Sequence, residues 1–80
     1  MSIYPNPVLH SENITLVYDM QNENSIVTIY NIIGSEVYSS RLYEKGLNTH
    51  NIPSNKLKRG TYIISVNSNG KTFNERLIIN

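Results

Sequence analysis

Hydrophobic and polar residues alternate along most of this chain with a period of two. In Ile14–Asp19 and in Thr61–Asn67, apolar side chains occupy every second position. This alternation is typical of β-strands that bury one face. Turn residues separate such runs at intervals of about 8 to 14 residues, the spacing of all-β sandwiches and barrels. Seven strands are predicted: Ile3–Val8, Ile14–Asp19, Ile26–Asn31, Glu36–Ser40, Thr49–Pro53, Thr61–Asn67 and Lys71–Ile79.

The alternation also predicts which side chains face the core. These are Ile14, Leu16 and Tyr18 in the second strand, Val27 and Ile29 in the third, Tyr62, Ile64 and Val66 in the sixth, and Phe73, Leu77 and Ile79 in the seventh. Glu75 interrupts the last of these faces, which places part of the seventh strand at a rim or an edge. Two prolines in the first strand cannot donate to a ladder, so that strand is predicted at an edge or as a bulged entry. Leu57, alone in a polar stretch, is expected to close the open end of the core.

Glycines mark the predicted turns. Gly34 follows Asn31 at the distance at which a hairpin loop that begins with a type I turn needs a residue with positive φ. Asn69 and Gly70 form the strongest hairpin signal, because both central positions of a type I′ turn need positive φ. Gly46 and Asn48 are predicted to break the chain before the fifth strand.

Composition supports one small β domain. The chain has 80 residues, with eleven Ile, five Val and no Ala. β-Branched residues suit a pleated surface, whereas Ala is the best helix former. A chain of this size buries only about 60% of its unfolded surface, which leaves no room for a deep catalytic cleft. The predicted fold is an all-β, immunoglobulin-like antiparallel sandwich of about seven strands without the Cys and Trp hallmarks of that class. A small closed β-barrel is the alternative.

Charge and candidate chemistry exclude several function classes. The net charge is +1 and the basic residues are scattered, so no nucleic-acid partner is predicted. No apolar run approaches the length of about 18 residues that a transmembrane helix needs. His10 and His50 stand forty residues apart, and the six acidic residues occur singly, so no metal site, cofactor or catalytic residue is predicted. An enzyme is therefore the least favoured class.

The six tyrosines keep a second function open. Tyr18 and Tyr62 fall on predicted inward faces, whereas Tyr30, Tyr38 and Tyr43 are expected to be partly exposed. Exposed rings are common at interfaces, so an accessory adhesive or glycan-binding module of a secreted protein is an alternative. A structural spacer is a further one.

Four short motifs, taken in order, carry a resemblance that covers essentially the whole chain. They are Tyr4-Pro5-Asn6-Pro7, the strand Ile26–Asn31 leading to Gly34, the loop Leu57–Gly60 followed by Tyr62, and Arg76-Leu77-Ile78-Ile79. In this order they resemble the C-terminal sorting domain (type A) of proteins that the bacterial type IX (Por) secretion system exports.

The resemblance implies a delivery label. Residues 1–80 would be one sorting domain at the C-terminus of a longer secreted protein of Bacteroidota, attached to an N-terminal cargo domain. A signal peptide would lead the protein into the periplasm, and the label would direct it through the outer membrane to the cell surface or the medium. The implied partners are the outer-membrane machinery of type IX secretion and a sortase-like cysteine peptidase that removes the domain.

A folded label without a pocket must be recognised by its surface, and an open sheet edge offers free backbone groups for strand addition. The candidate recognition residues are Tyr4, Pro5, Asn6 and Pro7 in the first strand and Arg76, Leu77, Ile78 and Ile79 in the last. The residues expected to determine the fold are Gly34, Gly60, Tyr62, Asn69 and Gly70.

Overall fold

The computed structural model consists of seven antiparallel strands and describes residues 2–9, 12–20, 25–42, 46–55, 57–68 and 70–80. The strands are β1 (Ser2–Tyr4), β2 (Asn13–Met20), β3 (Ser25–Tyr30), β4 (Glu36–Leu42), β5 (Gly46–Pro53), β6 (Gly60–Ser68) and β7 (Lys71–Ile79). All seven predicted strands are present, and within these ranges there is no helix.

The strands form two sheets that pack face to face. One sheet has the order β1-β2-β5 and the other the order β4-β3-β6-β7. The chain passes between the sheets after β2, β4 and β5, which is the crossing connectivity of immunoglobulin-like sandwiches. Since β4 and β5 are not paired, the sheets do not close into a barrel. The sandwich prediction is confirmed, and the closed-barrel alternative is wrong.

The core lies between the two sheets and follows the predicted alternation. Its buried members are Val8, Ile14, Leu16, Tyr18, Val27, Ile29, Leu42, Ile52, Leu57, Tyr62, Ile64, Val66, Leu77 and Ile79. Phe73 is the exception among the predicted inward residues, because 46% of its surface is exposed. It lies on the edge strand β7, beyond the part of that strand that the three-stranded sheet covers. The interruption at Glu75 thus marks the edge position that the sequence predicted.

Two predicted boundaries are wrong, each for a physical reason. β1 ends at Tyr4 rather than Val8, because the two prolines interrupt the ladder with β2. Gly46 and Asn48 lie inside β5 rather than in a break before it. Residues 46–48 pair with the last three residues of β2, so the long neighbouring strand extends β5 in spite of its local sequence.

The hairpin between β3 and β4 is built around Asn31 and Gly34. The Gly34 N–H donates to the Asn31 C=O at 3.0 Å, and the Asn31 side chain accepts the N–H of Ile33 and of Ser35. Gly34 has φ +87°, as predicted for the residue that follows the type I turn. The register shifts between Ile29 and Tyr30, and Val37 is the residue left over on β4.

The hairpin between β6 and β7 has the predicted two-residue loop. Ser68 and Lys71 are paired, and Gly70 has φ +82°. Asn69 lies outside the described residues.

The loop before β6 closes one end of the core. Leu57 is 6% exposed, as the sequence predicted, and its N–H donates to the Ser54 C=O. Ser54 is itself buried and its hydroxyl donates to the Glu12 C=O. The Tyr62 hydroxyl donates to the Lys58 C=O, four residues upstream, at 2.6 Å. This arrangement is the tyrosine corner of immunoglobulin-like sandwiches and gives the Gly60-Thr61-Tyr62 motif a structural role.

Candidate functional site

The N-terminal motif lies along the outer edge of β7. The Asn6 side chain donates to the Arg76 C=O at 2.7 Å and accepts the Ile78 N–H at 3.1 Å. A single amide thus forms the two bonds that a neighbouring strand would form at these positions. Two motifs that are 70 residues apart in the sequence are in direct contact.

Val8 continues this contact as backbone pairing. Its N–H donates to the Ile78 C=O and its C=O accepts the Asn80 N–H, each at 2.8 Å, in a parallel bridge beside Ile79. The Val8 side chain is fully buried in the core. The chain therefore starts in the three-stranded sheet at β1 and joins the edge of the four-stranded sheet within four residues.

This pairing shows which part of the β7 edge is open. The backbone groups bound by Asn6 and Val8 belong to residues 76, 78 and 80. Alternate residues of an antiparallel strand direct their N–H and C=O to the same side, so Thr72 and Asn74 also direct theirs outward. β7 has no strand partner at those two positions in the part of the chain that the structure describes. The free edge of β7 is its first half rather than its end.

The structure brings the two groups of predicted recognition residues together, with different degrees of exposure. Tyr4, Pro5, Asn6, Pro7 and Arg76 are exposed, Ile78 is half-buried, and Leu77 and Ile79 are buried in the core. The peptide bonds before Pro5 and Pro7 are both cis. The side chains of Leu77 and Ile79 therefore contribute to the fold, and the outward surface of this region comes from the other six residues.

A groove lies on the outer face of the four-stranded sheet, where the β3–β4 hairpin projects. Its floor is a row of three residues paired across adjacent strands, namely Tyr30, Ile63 and Arg76. Its volume is about 540 Å³. The remaining lining residues are Asn31, Ile32, Gly34, Thr61 and Tyr62. The motifs around Gly34, Tyr62 and Arg76, which are far apart in the sequence, thus meet at one surface feature.

Two neighbouring isoleucines at the hairpin tip are almost fully exposed. Ile32 is 82% and Ile33 is 81% exposed, and Ile32 forms one wall of the groove. Together with Tyr30, Val37 and Ile63, they give this end of the sheet an apolar outer surface. Sequence reasoning missed this surface, although two isoleucines between Asn31 and Gly34, in a predicted turn, were a signal for it.

The opposite side of the sandwich is linked by one hydrogen bond between side chains. The Tyr38 hydroxyl on β4 lies 3.1 Å from His50 Nε2 on β5, so the bond joins the unpaired edges of the two sheets. Partial burial removes water from the imidazole and lowers the pKa of His50 below its usual 6.5. His50 is therefore not the fully exposed surface histidine that the sequence suggested, and His10 lies outside the described residues.

The tyrosines do not form one exposed cluster. Tyr18 and Tyr62 are buried, as predicted, and Tyr38 faces inward toward His50. Tyr4 and Tyr30 are exposed, but they lie on the outer faces of different sheets. Tyr43 lies outside the described residues. No platform of adjacent rings is present within the described ranges.

Metal and membrane features were also sought in the described ranges. No three of their His, Asp and Glu side chains lie close enough together to hold a metal ion. Nor do these ranges contain a helix with the length and apolar character needed to cross a bilayer.

Comparison with known proteins identifies the family. No curated protein sequence matches the chain closely enough to count as a relative. The sequence profile of the secretion system C-terminal sorting domain, however, matches residues 2–80, which is nearly the whole chain. Domains of this family mark proteins for export through the outer membrane by type IX secretion, to the cell surface or the medium. The chain belongs to the family of secretion system C-terminal sorting domains.

Proposed function

We propose that this domain is a non-catalytic sorting label whose folded outer surface, including the edge of β7, is bound by the export machinery. Family membership supports the sorting role. The surface reading rests on one observation: Thr72 and Asn74 direct their backbone groups to an edge without a strand partner, whereas the end of β7 is covered by Asn6 and Val8. A partner that adds a strand to this domain would therefore pair first with the beginning of β7.

The cargo and the peptidase belong to the same proposal. The domain follows an N-terminal cargo domain in a longer secreted protein of Bacteroidota and crosses the periplasm with it. A sortase-like peptidase then removes the domain, which is the substrate and not the catalyst. The apolar surface around Tyr30 does not favour the glycan-binding alternative, because the exposed tyrosines lie on different faces of the sandwich.

Export of a reporter tests the sorting role. A soluble reporter with a signal peptide is fused upstream of residues 1–80 in a host with an active type IX system. The intact fusion is expected on the surface or in the medium, and a fusion without residues 71–80 is expected in the periplasm. A fusion in which the polar segment 21–24 is replaced by Gly and Ser is the control and is expected to be exported. Retention of the intact fusion would overturn the sorting role.

The truncation also removes Leu77 and Ile79 from the core, so a smaller change must test the edge itself. Asn74→Pro removes only an outward N–H, because the ladder with β6 uses the alternate residues of β7. Asn74→Ser keeps that N–H and is the matched control. We expect the proline variant to remain folded, with its urea midpoint near that of the serine variant, and to lose most of its export. Equal export of the two variants would rule out pairing at this edge.

A further inference from the structure

The groove beside the β3–β4 hairpin combines an apolar surface with one cation. Tyr30, Ile32 and Ile63 provide apolar walls and floor, and Arg76 is the only charged residue among those that line it. The guanidinium of Arg76 takes part in no ion pair within the described ranges. Only the main chain of Arg76 is engaged, through its C=O and Asn6.

This combination selects a ligand of particular chemistry. A guanidinium pairs with a carboxylate through two parallel hydrogen bonds, and such a pair gains strength when apolar groups exclude water around it. The exposed Ile32 and the floor residue Ile63 would gain from burial by apolar side chains. A ligand that fits both features is a peptide segment with apolar side chains on either side of an Asp or Glu.

The hairpin gives the groove a fixed shape. Gly34 stands in its wall without a side chain, and a Cβ at that position would meet no atom within 4 Å, so the groove stays open there. The Asn31 side chain holds the turn by accepting two backbone N–H groups. Ile32 is thereby presented beside the row of Tyr30, Ile63 and Arg76 by a hairpin with defined geometry.

We propose that this groove binds an apolar peptide segment that carries a carboxylate, held by Arg76 and clamped by Ile32, on the protein of the export machinery that receives this domain. The owner of the segment rests on the proposed function. The chemistry of the segment rests only on the groove.

A binding experiment on the 80-residue chain tests the chemistry. The probes are three capped pentapeptides, Phe-Leu-Asp-Leu-Ser and its Asn and Lys counterparts, titrated into isotope-labelled protein and followed by NMR. Saturable shifts are expected at Tyr30, Ile32, Ile63 and Arg76 with the Asp peptide, and binding about tenfold or more weaker with the other two. Equal binding of the Asp and Lys peptides, shifts elsewhere on the surface, or no shifts would overturn the proposal.

Matched variants separate the charge from the apolar wall. Arg76→Glu should weaken binding of the Asp peptide by about tenfold or more, whereas Lys71→Glu, the same charge change at the far end of β7, should leave it within about twofold. Ile32→Ser should weaken it several-fold, whereas Leu47→Ser, at a similarly exposed apolar residue on β5, should not. If both members of either pair behave alike, the groove is not the site.

The same four variants in the reporter fusion connect the groove with export. Arg76→Glu and Ile32→Ser should reduce export, and Lys71→Glu and Leu47→Ser should not. If the groove binds the Asp peptide but the intact fusion is not exported, the sorting role fails and the groove chemistry stands. If the intact fusion is exported and all four variants match it, the groove is not what the machinery binds.

Discussion

The side-chain amide of Asn6 bonds to the main chain of β7 on both sides of Leu77, donating to the Arg76 C=O and accepting the Ile78 N–H. It acts as a one-residue substitute for a neighbouring strand. Val8 then supplies true backbone pairing at Ile78 and Asn80. The N-terminal motif therefore covers the end of β7 and leaves the beginning of that strand as the open edge.

The first prediction concerns the strength of this contact. Asn6→Ala removes two hydrogen bonds at an exposed site, where water can replace them in part, so we expect the free energy of unfolding to fall by about 1–2 kcal/mol. Urea unfolding at neutral pH measures this change. Asn67→Ala is the control, because that side chain makes only a long contact of 3.4 Å to Thr72, and it should cost less than about 0.5 kcal/mol.

Amide hydrogen exchange gives the same prediction a local readout. In Asn6→Ala the Ile78 and Asn80 N–H groups should exchange faster, while those of β6 that pair with β7 should change only with global stability. Asn6→Asp should not restore protection, because one carboxylate oxygen would face the Arg76 C=O without a proton between them. Unchanged exchange at Ile78 would contradict the strand-substitute role of Asn6.

The second prediction concerns the hairpin glycine. Gly34 has φ +87° and a Cβ there would contact nothing, so the whole cost of a side chain is backbone strain. We expect Gly34→Ala to lower the free energy of unfolding by about 1–2 kcal/mol and Gly34→Asn to lower it less, since Asn tolerates this conformation. Thermal and urea unfolding of the two variants measure the difference. Equal stability of Gly34→Ala and the unchanged protein would contradict the strained-turn explanation.

Much of this fold could be read from the sequence because most of the information is local. The period of two at Ile14, Leu16 and Tyr18 fixes which face of β2 is buried, and the turn chemistry at Gly34 and Gly70 fixes the hairpin loops. Both signals act within a few residues along the chain. Strand type, most boundaries and the inward faces therefore followed from the pattern.

The features that failed depend on distant residues. Gly46 belongs to β5 because its partner strand is long, and Phe73 is exposed because the facing sheet is narrower than the one it belongs to. The contact between Asn6 and Ile78, and the row of Tyr30, Ile63 and Arg76, require knowledge of which strands are neighbours. Periodicity gives the face of a strand but not its neighbour, so the candidate site could be named in part and not assembled.

The third prediction concerns pH. Partial burial lowers the pKa of His50 in the folded state, so protonation of this residue favours the unfolded chain. Its effect is absent above the unfolded value of about 6.5, and the free energy of unfolding should fall as the pH drops through that value and on through the folded pKa. Urea midpoints between pH 8 and pH 5 measure the trend in the unchanged protein and in His50→Gln.

The comparison isolates His50, because His10 and the carboxylates titrate in both proteins. We expect the loss of stability between pH 7 and pH 5 to be smaller in His50→Gln. Tyr38→Phe removes the hydrogen-bond partner of the ring and keeps the titrating group, so it should lower stability at pH 8 while a decline with acid remains. Parallel curves for the unchanged protein and His50→Gln would contradict this account.

The last prediction decides whether Tyr62 serves the fold or contacts the machinery. Its ring is 7% exposed and its hydroxyl donates to the Lys58 C=O, so Tyr62→Phe should cost about 1–2 kcal/mol. Tyr30→Phe, at an exposed ring, should cost less than about 0.5 kcal/mol. If Tyr62 is a fold determinant, export of the Tyr62→Phe fusion should fall only as far as its unfolded fraction rises, and lower temperature should restore it. A variant that is fully folded at the assay temperature and still not exported would instead place this hydroxyl in direct contact with the machinery.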